Sequence, residues 1–300
     1  MSGSCLPELW LLAALRPRTQ PEPPRARRRH LERGSALKAE TARVTAVVRR
    51  HSYGMLNSPT RLITFAFWPL LDLLLWGLIT TFLRQAGTEL PIAVSFFLGA
   101  ILLWDLVFRT KNSIALCVLE ENYSQNTIAI MASPITPGEY LGGAVTFGLA
   151  KALITFVIMA VLAWVLFAFG VLQVGPMLAV YALVLIVFGI ALSLVVIGLV
   201  LRVGYAADEL TWVLAAVLMP FAAVFYPIAA LPGWAQSIAA FMPPAHVFEL
   251  MRADLADQAP AWGSLWAAVV LDVAYLAAAF AFARSMFGAF QRRGLITRYM

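Results

Sequence analysis

The chain has 300 residues, of which 61% are apolar and only 13% charged, against about 45–50% and about 25% in soluble domains, so a water-facing surface cannot be built from it. A formal net charge of +6 could suggest nucleic acid, but 12 of the 22 Lys and Arg precede Leu62, outside the apolar segments. Membrane orientation accounts for them, and no nucleic-acid partner is expected. The two cysteines, Cys5 and Cys117, show neither CxxC nor metal-ligand spacing, so neither a disulfide nor a metal site is expected.

Residues 1–36 are rich in Pro and Arg and carry no hydrophobic period that could pack, which predicts a disordered tail preceding one membrane domain over 37–300. Leu6 to Leu15 is apolar, but no Lys or Arg precedes it and no small-residue cleavage pattern follows, which argues against a signal peptide. Over 35–56, Leu37, Val44, Val47, Val48 and Met55 recur at helical spacing while Lys38, Arg43, Arg49 and Arg50 take other faces. That pattern suits an amphipathic helix at the membrane surface, or a solvated helix leading into the first span.

Six spans are expected, at about 62–83, 91–119, 141–169, 174–201, 210–230 and 262–284, in an all-α membrane fold. The third and fourth share the strongest signal: between Lys151 and Arg202 lie 50 residues without a charge, interrupted only by Gln173-Val174-Gly175-Pro176. Segment 231–260 is broken by Pro232, Pro243, Pro244 and Pro260, so it cannot cross. A helix over 233–242 would be about 15 Å long, half a bilayer, and is expected to dip in from the outer face and return. With six spans the termini share a side, and that side holds 19 Lys and Arg against 2 on the other. The bias places both termini in the cytoplasm.

Catalytic machinery is not visible. The three lysines follow Leu37, Thr110 and Ala150, so no GxxxxGK[ST] phosphate loop exists, and neither a GxSxG elbow nor an HExxH zinc motif is present. The chain is expected not to be an enzyme and to hold no cofactor or metal. Ionisable residues inside spans are the usual pointers to function, and Asp72, Asp105, Lys151 and Asp272 qualify. Asp105 has Arg109 one helical turn away and is expected to pair with it. Trp68, Trp76, Trp104, Trp164 and Trp212 suit interfacial belts as readily as a substrate path.

Three stretches carry a family resemblance. Phe225-Tyr226-Pro227-Ile228, Leu231-Pro232-Gly233-Trp234 and Pro243-Pro244-Ala245-His246-Val247-Phe248-Glu249 with Met251-Arg252 form the most specific one. Glu120-Glu121-Asn122-Tyr123-Ser124-Gln125-Asn126-Thr127-Ile128, then Pro134-Ile135 and Glu139-Tyr140-Leu141, form the second, and Asn57-Ser58-Pro59-Thr60-Arg61 leading to Pro69 the third. From Arg43 onward the chain resembles the membrane subunits of type-two ABC exporters, the ABC-2 type transporter family. The family's usual Gly is replaced by Asn126, and no basic residue stands near Tyr123.

The resemblance implies a permease dimer, of two copies or of one copy and a homologue, in the bacterial inner membrane. Two copies of a separate ATPase would bind the ATP and Mg. It also implies that the loop carrying Glu120, Glu121, Asn122, Thr127, Ile128, Pro134 and Glu139 docks the ATPase. Tyr226, Pro227, Leu231, Pro232, Gly233, Trp234, Pro243, Pro244, Glu249 and Arg252 would build an outward re-entrant hairpin. A loop of some 20 residues between packed spans is longer than most connections need, which independently favours a docking role for 119–140. The competing readings are an integral-membrane enzyme acting on lipid-type substrates, which would need clustered His, Asp or Ser, and an ion-coupled carrier, which would need an internal repeat.

Overall fold

The structure, a computed structural model, describes residues 25–85, 91–124, 126–170, 175–204, 208–256, 258 and 261–292. It divides into two units, Met1–Ala42 and Arg43–Met300. Helix α1 (Arg25–Leu56) starts ten residues before the expected position, so 25–36 is helical rather than disordered. The physical reason is local: the prolines of the tail stop at Pro24, and Arg, Ala, Leu, Glu and Lys, all strong helix formers, dominate residues 25–40. The rest of the expected disordered tail, 1–24, lies outside the described residues.

The second unit continues with α2 (Pro59–Gln85), α3 (Pro91–Tyr123), the six-residue α4 (Thr127–Ala132), α5 (Pro137–Phe167) and α6 (Leu178–Val203). Among the described residues no strand occurs. Among the described residues, four helices are long and apolar enough to cross a bilayer, over Pro59–Phe82, Pro137–Phe167, Leu178–Val203 and Trp262–Phe290. The α6 segment is the central one: 67% of its most apolar window is buried, against 17–22% in the other three. It packs mainly on α10 (Trp262–Arg292) and α3, and α3 in turn on α5 and α2.

Small residues let these helices approach closely, as packing in lipid requires. A Cβ on Gly189 would lie 2.9 Å from the Thr110 Cβ, and one on Gly148 only 2.9 Å from the Ile114 backbone nitrogen. The start of α5 is fixed by its own sequence. Thr136 accepts from the Glu139 N–H at 3.3 Å, Glu139 Oε2 accepts from the Thr136 N–H at 2.8 Å, and Pro137 takes the first helical position.

The fifth apolar segment departs from expectation. Helix α7 (Asp208–Phe221) stops well short of residue 230. Pro220 has no N–H to donate, and Ala223 takes a left-handed φ of 52°, which turns the chain out of the helix. A single 3-10 turn, Ile228–Ala230, then leads to α8 (Gly233–Ala239) and α9 (Pro243–Leu255). The helix expected over 233–242 is therefore only about 10 Å long.

Candidate functional site

One face of α1 and the start of α2 meet the polar end of the α3–α5 connection through three ion pairs, two from α1 and one from α2. Arg43 donates from Nε and Nη2 to Glu139 Oε1 at 2.9 and 2.6 Å, and Arg50 donates from Nε and Nη2 to the two oxygens of Glu121 at 2.6 and 2.8 Å. On α2, Arg61 Nη1 donates to Glu120 Oε2 at 2.9 Å. Arg43, Val47, Arg50 and His51 stand at helical positions i, i+4, i+7 and i+8, one stripe of α1. Val47 is buried against Gly143 of α5, where a Cβ would come within 2.6 Å of the Val47 Cβ. His51 is buried beside the rings of Phe147 and Tyr140, at centroid distances of 5.6 and 6.4 Å. Burial holds the His51 imidazole below its ordinary 6.5, although Glu121 and Glu120 pull the other way.

Two expectations change here. Arg43 and Arg50 share the packing face with Val47 instead of pointing elsewhere, because Glu139 and Glu121 wait opposite. Glu120 and Glu121, in the loop that the resemblance assigns to ATPase docking, are held by arginines of the same chain, and Glu121 is buried. The number and signs of the charges on the two segments, three Arg against three Glu, were a usable signal for this pairing.

Asn122 is half-buried at the end of α3, and Asn126, the N-cap of α4, donates from Nδ2 to Ser124 Oγ at 2.9 Å. The side chains of Thr127 and Ile128 lie outside the described residues. Ser133 Oγ closes α4 onto the Ile130 carbonyl at 2.6 Å, and Tyr140 ties α5 to α3 by donating to the Cys117 carbonyl at 3.1 Å. Ala129, Ala132, Pro134 and Gly138 remain exposed.

The segment after α7 is held by two side chains of α9. Arg252 Nη2 donates to the Tyr226 carbonyl at 2.7 Å and to the Ala223 carbonyl, while Glu249 Oε1 accepts from the Ile228 N–H at 2.6 Å. The two also pair at 3.1 Å, and the guanidinium lies 4.6 Å from the Phe96 ring centroid. Tyr226 Oη donates to the Pro220 carbonyl at 2.7 Å, and Gln236 to the Leu231 carbonyl at 2.8 Å. Arg252 and Glu249 thus supply hydrogen-bond partners to backbone groups that no helix satisfies. Pro243 and Pro244 are buried at the start of α9, whereas Pro227, Pro232, Gly233 and Trp234 are exposed and Leu231 is half-buried.

Among the charges assigned to spans, Asp105 pairs with Arg109 at 3.0 Å, and Arg109 also reaches Asp72 of α2 at 3.8 Å. Lys151 lies 5.6 Å from the Phe65 ring centroid. Asp272 is buried on α10, and neither carboxyl oxygen has a hydrogen-bond partner among the described residues. Sequence reasoning missed Lys111, which is fully buried 4.7 Å from the Phe108 ring centroid. Arg109 and Lys111 lie well inside α3, not in a loop, which reduces the charge asymmetry to 17 against 2. Their place on one helix with Asp105 was the signal.

Cys117 is buried and free, and no group of three metal-capable side chains occurs among the described residues. The fold thus defines an all-helical, multi-pass membrane protein. No protein-family model matches the chain, and no curated protein sequence matches it either.

Proposed function

We propose that the chain is the membrane-spanning subunit of an ATP-driven exporter of the ABC-2 type, working as a dimer and powered by two copies of a separate ATPase. In this reading α3 and α7 complete six spans, both termini are cytoplasmic in the bacterial inner membrane, and the 222–242 segment is an outer re-entrant hairpin. The carrying observation is the clamp of three arginine–glutamate pairs, which fastens α1, α2, α3 and α5 at the two ends of the connection that carries the short helix α4. A push on α4 would pass to all four elements at once. Exposed Ala129 and Ala132 offer the partner an apolar contact that costs the fold nothing to present.

The test is co-expression with candidate ATPases, followed by co-purification and substrate-stimulated ATP hydrolysis in liposomes. Ala132→Asp should lose the ATPase while inserting normally. Undiminished co-purification would remove the docking role. A second reading, an ion-coupled carrier, is favoured by the unpartnered Asp272 carboxyl alone. Transport driven by a proton gradient without ATP would select it.

A further inference from the structure

A cleft of about 530 Å³ lies where the first turn of α5 and the last turns of α3, α6 and α10 come together. Ligand sites of about 300–1,000 Å³ are typical for small molecules. Its wall is mostly apolar, including Val118, Ile135, Leu141, Ile197, Leu201 and Phe287. The polar groups in the wall are engaged elsewhere: Glu121 holds Arg50, Thr136 caps α5, and Tyr140 donates to the Cys117 carbonyl. Arg284 of α10 is different, being exposed and, among the described residues, in no ion pair or hydrogen bond.

Two observations set the depth and direction of the cleft. Pro137, Leu201 and Gly288 lie at the ends of three of the four helices apolar enough to cross, so the cleft sits at the bilayer surface whichever side that is. Phe280 lines the cleft yet is 52% exposed, and it continues the exposed apolar stripe of Trp266, Val270 and Val273 on α10. The mouth therefore opens sideways toward hydrocarbon, with Arg284 one helical turn from Phe280 toward the surface. The cleft also has unused room, since a Cβ on Gly138 or Gly288 would meet nothing within 4 Å.

We infer that this cleft seats an acyl chain of an anionic phospholipid whose phosphate is held by Arg284. The apolar wall takes the chain, and the guanidinium takes the phosphate at headgroup level. A zwitterionic lipid brings its own cation to the same place and gains less. The inference depends on the four crossing helices and not on the ATPase reading, so either can fail without the other.

The test uses the purified full chain in phosphatidylcholine vesicles containing a minor fraction of phosphatidylglycerol with a photoactivatable acyl chain, and maps the adducts by peptide mass spectrometry. Adducts should concentrate on the α6 and α10 segments around Ile197, Leu201 and Phe280. Labelling should fall about fivefold in Arg284→Gln, the weight of one interfacial cation. It should also be lost in Gly288→Phe, which fills the cleft, and be weak with a phosphatidylcholine probe. Equal labelling by both probes, adducts spread evenly around the apolar belt, or labelling unchanged in Arg284→Gln would overturn the proposal. Displacement of the probe by inorganic phosphate alone would do the same, by placing a free anion at Arg284. If Gly288→Phe does not fold, the two probes and Arg284→Gln still decide.

Discussion

The Arg50–Glu121 pair gives the clamp a measurable strength. Its two hydrogen bonds, at 2.6 and 2.8 Å, are charge-assisted and parallel. The partners differ in setting, since the Arg50 side chain is 51% exposed and that of Glu121 only 8%. Exposed pairs contribute about 0.2–1 kcal/mol, and breaking buried ones costs about 3–5 kcal/mol. A pair with one member in each setting falls between. Arg50→Met keeps the apolar stem but leaves Glu121 buried without its partner, at about 2–3 kcal/mol. Glu121→Gln releases Arg50 to water and should cost only about 1 kcal/mol. The double variant should then be about 1–2 kcal/mol more stable than the sum of the single losses predicts. The assay is denaturant unfolding of the four proteins of this cycle in one detergent. A coupling below about 0.5 kcal/mol, the level of independent sites, would refute the clamp. So would a larger loss from Glu121→Gln than from Arg50→Met.

Three further outcomes rest on single contacts. The buried His51 has a folded pKa below its unfolded 6.5, so the folded form is unaffected at higher pH and loses stability as pH falls through 6.5. His51→Phe should flatten the stability profile between neutral pH and about 5. Gly148→Ala should cost about 1–3 kcal/mol, because its Cβ would press on the Ile114 backbone, which cannot swing away. Gly142→Ala on the same helix meets nothing within 4 Å and should be neutral or gain about 0.5–1 kcal/mol, so melting temperatures of the pair test the packing directly. Arg252→Met removes the donors to the Ala223 and Tyr226 carbonyls, a loss of about 3 kcal/mol. It should appear as faster proteolysis between residues 222 and 232, whereas unchanged digestion would show that the segment holds itself.

The sequence made legible those features that depend on neighbours in the chain. Apolar run length located the four helices able to cross, while the capping box Thr136-Pro137-Gly138-Glu139, a local signal not used, starts α5 four residues before the expected 141. The i,i+4 pairing of Asp105 with Arg109 needed only helical spacing. The features that escaped depend on distant partners. Arg43 meets Glu139 across 96 positions and Arg50 meets Glu121 across 71, separations over which periodicity carries no information. The end of α7 escaped for a different reason. Residues 210–230 are apolar enough for a span, but Pro220 and the left-handed Ala223 outweigh composition, because lost backbone hydrogen bonds cost more than an apolar side chain gains.

The polar middle of α3 fits the same physics. Asp105, Thr110, Lys111, Asn112 and Ser113 are all buried on one helix. A helix facing lipid could not carry them. Contacts with α2, α5 and α6 let α3 do so, while the outer faces of α2, α5 and α10 supply the apolar surface that a bilayer demands. An interior helix is free to be polar where its neighbours are not. The Arg109 contact to Asp72 then extends that polar interior onto α2, where Asp72 is about half exposed amid apolar side chains. Lipid cannot solvate a carboxylate there, so the surroundings of Asp72 must come from protein or from a water-lined path. That requirement is what the proposed dimer would meet.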